Sequence, residues 1–145
     1  MAEAPLAIRT VILCDDVRRE DNGKFLLIGV YSKDIGFASL PANFTITFWM
    51  EVDYLATGTF GLRFRALHRP SGRELFNLEG QAEIPTAERG NSLILGKIPV
   101  LVPGEGEIEL QMSIDEGEWT LLKSLPVTDA SQSARAAEVG GADPG

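Results

Sequence analysis

Four carboxylates lie close together near the amino terminus of the chain, at Asp15, Asp16, Glu20 and Asp21. Hard cations such as Ca²⁺ bind clustered carboxylate oxygens, so these residues are the first candidates for a metal site. Their spacing does not match a calcium-binding loop, and two arginines inside the cluster can neutralise the carboxylates by ion pairing. We therefore expect paired or solvated surface charge here, with no bound metal.

The single histidine, His68, and the single cysteine, Cys14, are the other residues with distinctive chemistry. A lone histidine cannot build a site of several imidazoles, and catalysis would require it to meet a nucleophile in space. His68 precedes the segment 69–72 (Arg-Pro-Ser-Gly), which fits a type I turn and favours a surface histidine. Cys14 ends an apolar run and is predicted to be a small buried side chain. No phosphate-binding loop or nucleophile elbow occurs, so we predict no enzyme activity and no cofactor.

Length and charge narrow the class of protein further. The 145 residues suit one domain, and a single cysteine cannot form an internal disulfide. The net charge of −8 repels phosphate backbones and anionic lipids, so nucleic acid and membrane surfaces are poor candidate partners. The first residues carry a glutamate and lack the basic and apolar regions of a secretory signal, which predicts a cytoplasmic protein.

The dominant pattern is alternation of apolar and polar residues with period two, clearest over 44–52, 60–66 and 108–114. Such alternation is typical of half-buried antiparallel strands. We predict strands near 7–14, 24–33, 43–53, 59–67, 73–84, 92–102, 107–115 and 118–127. Short strands separated by turns predict an all-β fold, an antiparallel two-sheet sandwich of about eight strands.

Two segments depart from the alternation. The run 25–31 is apolar at nearly every position, which predicts a central strand and the least exposed one. The tail 128–145 is rich in Ala, Ser, Gly and Asp, so we predict a β-sandwich domain over 1–127 followed by a flexible tail. A short helix over 130–138, capped by Asp129, is the alternative for the tail.

Several short landmarks occur in a recognisable order along the chain. They are the segments 11–18 (VILCDDVR), 23–24 (GK), 27–31 (LIGVY), 40–41 (LP), 70–72 (PSG), 103–104 (PG), 108–110 (IEL) and 125–127 (LPV). Between about Ile8 and Val127, the chain resembles a family of small bacterial proteins of unknown function that are predicted β-sandwiches. The resemblance implies an immunoglobulin-like fold and brings no activity, ligand or catalytic residue with it.

Trp49 is the first candidate for an interaction site, because the alternation turns it outward together with Glu51. If the strands 43–53 and 59–67 pair as a hairpin, Arg63 or Arg65 lies across from the indole and can stack on it. Exposed tryptophan with arginine is typical of interface hot spots, whereas a local aromatic stack on the outer face is the equal alternative.

The strand 92–102 is the second candidate. Pro99 cannot donate a ladder hydrogen bond and Gly96 favours a bulge, so this strand is predicted to lie at a sheet edge. The edge is apolar, and only Lys97 protects it against addition of another strand. The candidate contact residues are Ile94, Ile98, Pro99 and Val100. The alternative is that loops or the tail cover this edge.

These features favour a non-catalytic module that binds a protein partner or itself through an edge strand. The alternative is small-molecule binding in a cavity between the sheets or at the loop end, near Tyr31, Tyr54 and Trp119. A hydrolase built on the acidic cluster is a third hypothesis, and it requires Asp15 and Asp16 to lie beside a concavity.

Overall fold

Alternation of apolar side chains produces a chain built almost wholly of strands. The computed structural model describes residues 4–131, and the two residues 130–131 begin a helical turn. Ten strands follow one another, rather than about eight: β1 (Leu6–Cys14), β2 (Asp16–Arg19), β3 (Phe25–Ile28), β4 (Ile35–Phe37), β5 (Ala42–Tyr54), β6 (Gly58–Arg69), β7 (Arg73–Ile84), β8 (Asn91–Val102), β9 (Gly106–Ile114) and β10 (Thr120–Asp129). In the part of the chain that is described, no helix has the length and apolar character needed to cross a membrane.

The strands form three sheets. The order β1-β5-β8 makes a three-stranded sheet, β4-β10-β9-β6-β7 makes a five-stranded sheet, and β2-β3 is a separate hairpin. Neighbouring strands are antiparallel except β4 and β10, which pair in parallel through residues 35–37 and 127–129. The consecutive strands β5 and β6 belong to different sheets, so the pairing of 43–53 with 59–67 on which the Trp49 contact depended does not occur.

The core lies between the apolar faces of the two larger sheets. The alternate residues of β5 predicted to face inward, from Ile46 to Val52, are buried, and Phe44 packs against them. Across the core, the ring of Phe48 lies 6.4 Å from that of Phe76 on β7. The inward residues of β6 and β9 complete the cluster, as alternation predicts: Leu62, Phe64, Ala66, Ile108, Leu110 and Met112.

The apolar run 25–31 is not a central strand. Only Phe25–Ile28 is a strand, and it pairs with β2 alone. Leu26, Ile28 and Val30 are among the exposed large hydrophobic residues, so the prediction of the least exposed strand is wrong. Gly29 has a positive φ of 69° where the chain leaves β3, and a Cβ at this position would also collide with the Asp15 carboxylate, so the turn favours glycine for both reasons. The turn ends the strand before it can extend along a sheet.

The final strand extends past the predicted domain boundary. Thr128 and Asp129 belong to β10, where they pair with Gly36 and Phe37 of β4. The Asp129 carboxylate accepts hydrogen bonds from the Leu40 backbone N–H and from Ser131. The rest of the predicted tail, residues 132–145, lies outside the described residues, as does most of the alternative helix.

An ion pair joins β1 and β5 on the outer face of the three-stranded sheet. The β1–β5 register shifts between Ile8 and Thr10, and Arg9 occupies this irregularity. Its guanidinium donates to Asp53 across a 2.7 Å contact, and the Gly90 backbone N–H donates to the same carboxylate. The hydrogen bond from Arg9 is the main reason that the pKa of Asp53 is lowered from its ordinary value.

The buried position of Leu110 predicts a large loss of stability on truncation. Leu110 is 0% exposed, whereas Leu121 on β10 is 55% exposed. We expect Leu110→Ala to lower the free energy of unfolding by about 2–5 kcal/mol and Leu121→Ala by less than about 0.5 kcal/mol. Urea unfolding followed by circular dichroism measures both changes. Equal losses for the two variants would contradict the described orientation of β9 and β10.

The lowered pKa of Asp53 makes part of the stability depend on pH. Because the folded protein binds the proton more weakly than the unfolded chain, this contribution is complete above the ordinary pKa of 3.8 and disappears as the pH falls through the lower folded value. We expect Asp53→Asn to be less stable than the parent protein at pH 7, and the difference to narrow below about pH 4. Urea unfolding at a series of pH values tests this; a constant difference would contradict it.

Candidate functional site

The strand β8 is an edge strand. Among the described residues, β5 is its only hydrogen-bonded neighbour, and pairing extends along ten residue pairs from Asn91 to Val102. Two of its outward side chains, Ile94 and Leu101, are each 41% exposed, and Pro99 is also exposed. A long apolar strand therefore presents one unpaired side, which is the condition for strand addition.

A bulge divides β8 into two short segments. Gly96 and Lys97 stand together opposite Thr47, and Lys97 has a φ of 55°. The Lys97 backbone N–H donates to the Thr47 hydroxyl at 3.0 Å, which fixes the bulge to β5. The Lys97 ammonium turns toward the β2–β3 hairpin and lies 3.9 Å from the Asp16 carboxylate. The bulge interrupts the regular edge, so an added strand could pair regularly only with the residues before it or with those after it.

The candidate contact residues face two different ways. Ile94 and Pro99 lie on the outer face of the sheet, opposite Trp49 and Thr45 of β5. Ile98 and Val100 lie on the inner face, opposite Ile46 and Phe44; Ile98 packs against the core and Val100 is buried within it. Only the outward residues are available to a partner without opening the core.

A groove separates the free edges of the two larger sheets. Its volume is about 630 Å³, and it lies between the end of β8 and the start of β7. Pro99, Val100 and Leu101 line one side and Arg73, Glu74 and Leu75 line the other. β7 is also the last strand of its sheet, and it approaches β8 at this groove.

Trp49 lies on the outer face of the three-stranded sheet, in the middle of an apolar row. Ile12 of β1 and Ile94 of β8 are its neighbours on the two sides. The indole is partly buried, and its Nε1 atom is shielded from solvent without a hydrogen-bond partner. Glu51 faces the same way and accepts a hydrogen bond from the Thr10 hydroxyl at 3.1 Å.

The predicted stacking of arginine on Trp49 is wrong, because β6 belongs to the other sheet. Arg63 and Arg65 lie over the ring of Trp119 instead, with their guanidinium carbons 5.1 Å and 4.1 Å from its centroid. Arg65 also donates to the Gln111 amide oxygen, and Arg63 lies 3.4 Å from the Glu79 carboxylate. This cluster covers the outer face of the five-stranded sheet, and it matches the local aromatic stack that sequence reasoning assigned to the wrong tryptophan.

The acidic cluster is divided among different partners. Asp15 accepts a 2.6 Å hydrogen bond from the Tyr31 hydroxyl, and burial together with this carboxylate raises the pKa of Tyr31 to about 12. The hydrogen bond from Arg18 is the main reason that the pKa of Asp16 is lowered. Within the described residues, no group of three or more potential metal ligands is found. Cys14 is fully buried as predicted, and its burial raises the pKa of its thiol.

His68 is a buried residue, so the prediction of a surface histidine is wrong. It is 3% exposed at the end of β6, and its side chain contacts the loop after β8. Nε2 lies 2.8 Å from the Gly104 carbonyl oxygen, and Nδ1 lies 2.7 Å from the Ser71 hydroxyl. The turn also differs from the predicted type I turn, because the Arg69–Pro70 peptide bond is cis and the Gly72 N–H bonds to the His68 carbonyl.

Sequence reasoning missed the contact between His68 and Ser71. Its only signal was the spacing of three residues across a proline turn, which brings two side chains together when the chain folds back on itself. The three aromatic residues predicted to line a pocket are instead far apart. Tyr31 contacts Phe44 at one end of β5, Tyr54 is at the other end of that strand, and Trp119 lies on the opposite sheet.

No protein-family model matches the chain, and no curated protein matches it. The geometry of the site is therefore the basis for assigning a function.

The Trp119 cluster predicts a measurable contribution to stability. We expect Trp119→Ala to lower the free energy of unfolding by roughly 1–3 kcal/mol, because the indole loses its contacts with the Arg63 and Arg65 guanidinium groups. Trp119→Phe keeps a ring over the arginines and should lose less. Thermal unfolding of the two variants measures this order, and an alanine variant as stable as the parent protein would contradict the role of the cluster.

Proposed function

We propose that this protein is a non-catalytic interaction module that binds another polypeptide by strand addition at the free edge of β8. The observation that carries the proposal is that this twelve-residue strand has one hydrogen-bonded neighbour, β5, within residues 4–131. Main-chain groups on the open side supply affinity to an added strand, and the flanking side chains supply specificity. The immunoglobulin-like sandwich, the family resemblance and the cytoplasmic location belong to the same proposal.

Three features of β8 support a partner at this edge. Ile94 and Leu101 expose apolar surface on the outer face. The groove toward β7 has room for side chains of an added strand. Lys97, the residue that would protect the edge, is drawn toward Asp16 of the neighbouring hairpin.

Pro99 favours a different chain over a second copy as the partner at the segment 98–102. A proline in an edge strand places its nitrogen on the open side, where no ladder bond is lost within the protein. If two copies paired antiparallel around Val100, each would bring a proline into the new ladder. The ladder between two copies would then lack one backbone N–H donor from each chain. A ladder with a partner that has no proline would lack only the donor at Pro99.

A second candidate function is binding of a small molecule in the groove between β7 and β8. Its volume of about 630 Å³ is in the range of known ligand pockets. Phe44 and Leu75 supply apolar surface and Arg73 supplies a charge. This candidate replaces the pocket predicted near Tyr31, Tyr54 and Trp119.

The edge proposal is tested by light scattering across a concentration series, followed by fluorescence anisotropy with labelled extended peptides of alternating apolar and polar residues. Leu101→Lys places a charge on the free edge, and Leu121→Lys places the same charge on an exposed leucine of the other sheet. We expect Leu101→Lys to weaken peptide binding at least tenfold and Leu121→Lys to leave it unchanged.

Two outcomes would contradict the edge proposal. The first is peptide binding or self-association that Leu101→Lys does not change. The second is a strict monomer that binds none of the peptides. Ile98→Lys is not a suitable variant, because Ile98 packs against the core and its substitution would also destabilise the fold.

A further inference from the structure

The contact between His68 and Ser71 joins a base to a nucleophile. The Ser71 oxygen lies 2.7 Å from Nδ1 of His68, within the hydrogen-bond distance of nucleophile and base pairs. His68 is buried at the end of β6, whereas Ser71 is exposed in the turn before β7. The base is thus held inside the fold, whereas the residue that carries the hydroxyl is exposed.

The surroundings of His68 fix its tautomer. Nε2 faces the carbonyl oxygens of Gly104 at 2.8 Å and Glu105 at 3.2 Å. Carbonyl oxygens only accept hydrogen bonds, so Nε2 carries a proton. In the neutral imidazole, Nδ1 then has the free lone pair and can accept the Ser71 hydroxyl proton at 2.7 Å. The other acceptor within reach of this hydroxyl, the His68 carbonyl oxygen, is more distant at 3.3 Å. The backbone carbonyls orient the ring in the way that a third group orients the base in other nucleophile and base pairs.

Arg69 and Arg73 flank the turn in the sequence. The Arg69 guanidinium is paired with Glu109, with Nε 3.4 Å from the carboxylate oxygen. The Arg73 backbone N–H donates to the Ser71 oxygen at 3.1 Å, which helps to fix the hydroxyl rotamer.

We propose that Ser71 is a nucleophile, activated by His68, that accepts an acyl group from a small activated ester. The Ser71 oxygen forms a bond to the ester carbonyl carbon, and the bond between that carbon and the leaving alcohol oxygen breaks. The Ser71 proton moves to Nδ1 of His68 and from there to the departing alkoxide. The products are the acylated serine and a free alcohol, with no oxidant or other co-reactant.

This inference is independent of strand addition at β8. It describes one covalent event on each chain rather than turnover, and is therefore compatible with an interaction module.

The test uses a fluorophosphonate probe on the full chain, with the labelled residue identified by mass spectrometry. The Ser71 oxygen displaces fluoride from phosphorus in this reaction, which imitates the acylation step. Ser124 is an internal control, because its hydroxyl donates a hydrogen bond to the Glu107 carboxylate and not to an imidazole. We expect Ser71 to be labelled at least tenfold faster than Ser124, and Ser71→Ala to remove that product.

A variant of His68 separates its activation of Ser71 from its structural role. His68→Gln retains an amide N–H that can donate to the Gly104 carbonyl, and it should slow labelling of Ser71 by about a hundredfold. Circular dichroism shows whether this variant folds; if it does not, the ratio of Ser71 to Ser124 labelling in the parent protein carries the test. Labelling of Ser71 no faster than Ser124 would overturn the proposal and leave Ser71 as a turn residue.

Discussion

Burial of the inward side chains of β5 against the five-stranded sheet is the interaction on which the rest of the structure depends. β5 is the middle strand of its sheet, and its inward residues Ile46, Phe48, Met50 and Val52 are all at most 1% exposed. Since their neighbours on β1 and β8 must face the same way, the register of both strands follows from this one strand. The outer face, with Trp49 and the Arg9–Asp53 ion pair, follows in turn.

The same packing leaves the sheet edges without partners. The two larger sheets share one core, but a shared core does not satisfy the main-chain groups of their outermost strands. On one side, β7 and β8 end the two sheets and line the groove between them. The proposed function depends on this edge, where Pro99 and the bulge at Lys97 would limit the positions at which a partner strand can pair.

The sequence predicted which side chains of the long strands are buried better than it predicted which strands pair with each other. Alternation identified β5, β6 and β9 and their buried residues, because period two follows directly from strand geometry. It does not say which strands pair, so Arg63 and Arg65 were expected beside Trp49 and lie on Trp119. An apolar run was also misleading at 25–31, where a glycine turn ends the strand. The contact of His68 with Ser71 depends on the path of a turn, which residue types alone do not determine.

The openness of the β8 edge is tested most directly by hydrogen exchange of its backbone amides, measured residue by residue by NMR. If the edge is free, the amides of β8 that point away from β5 exchange much faster than those that point toward it, while β5 and β9 are protected throughout. Addition of a bound peptide should then protect the fast amides. Uniform slow exchange along the whole of β8 in the isolated protein would mean that the edge is already covered, and would contradict the account.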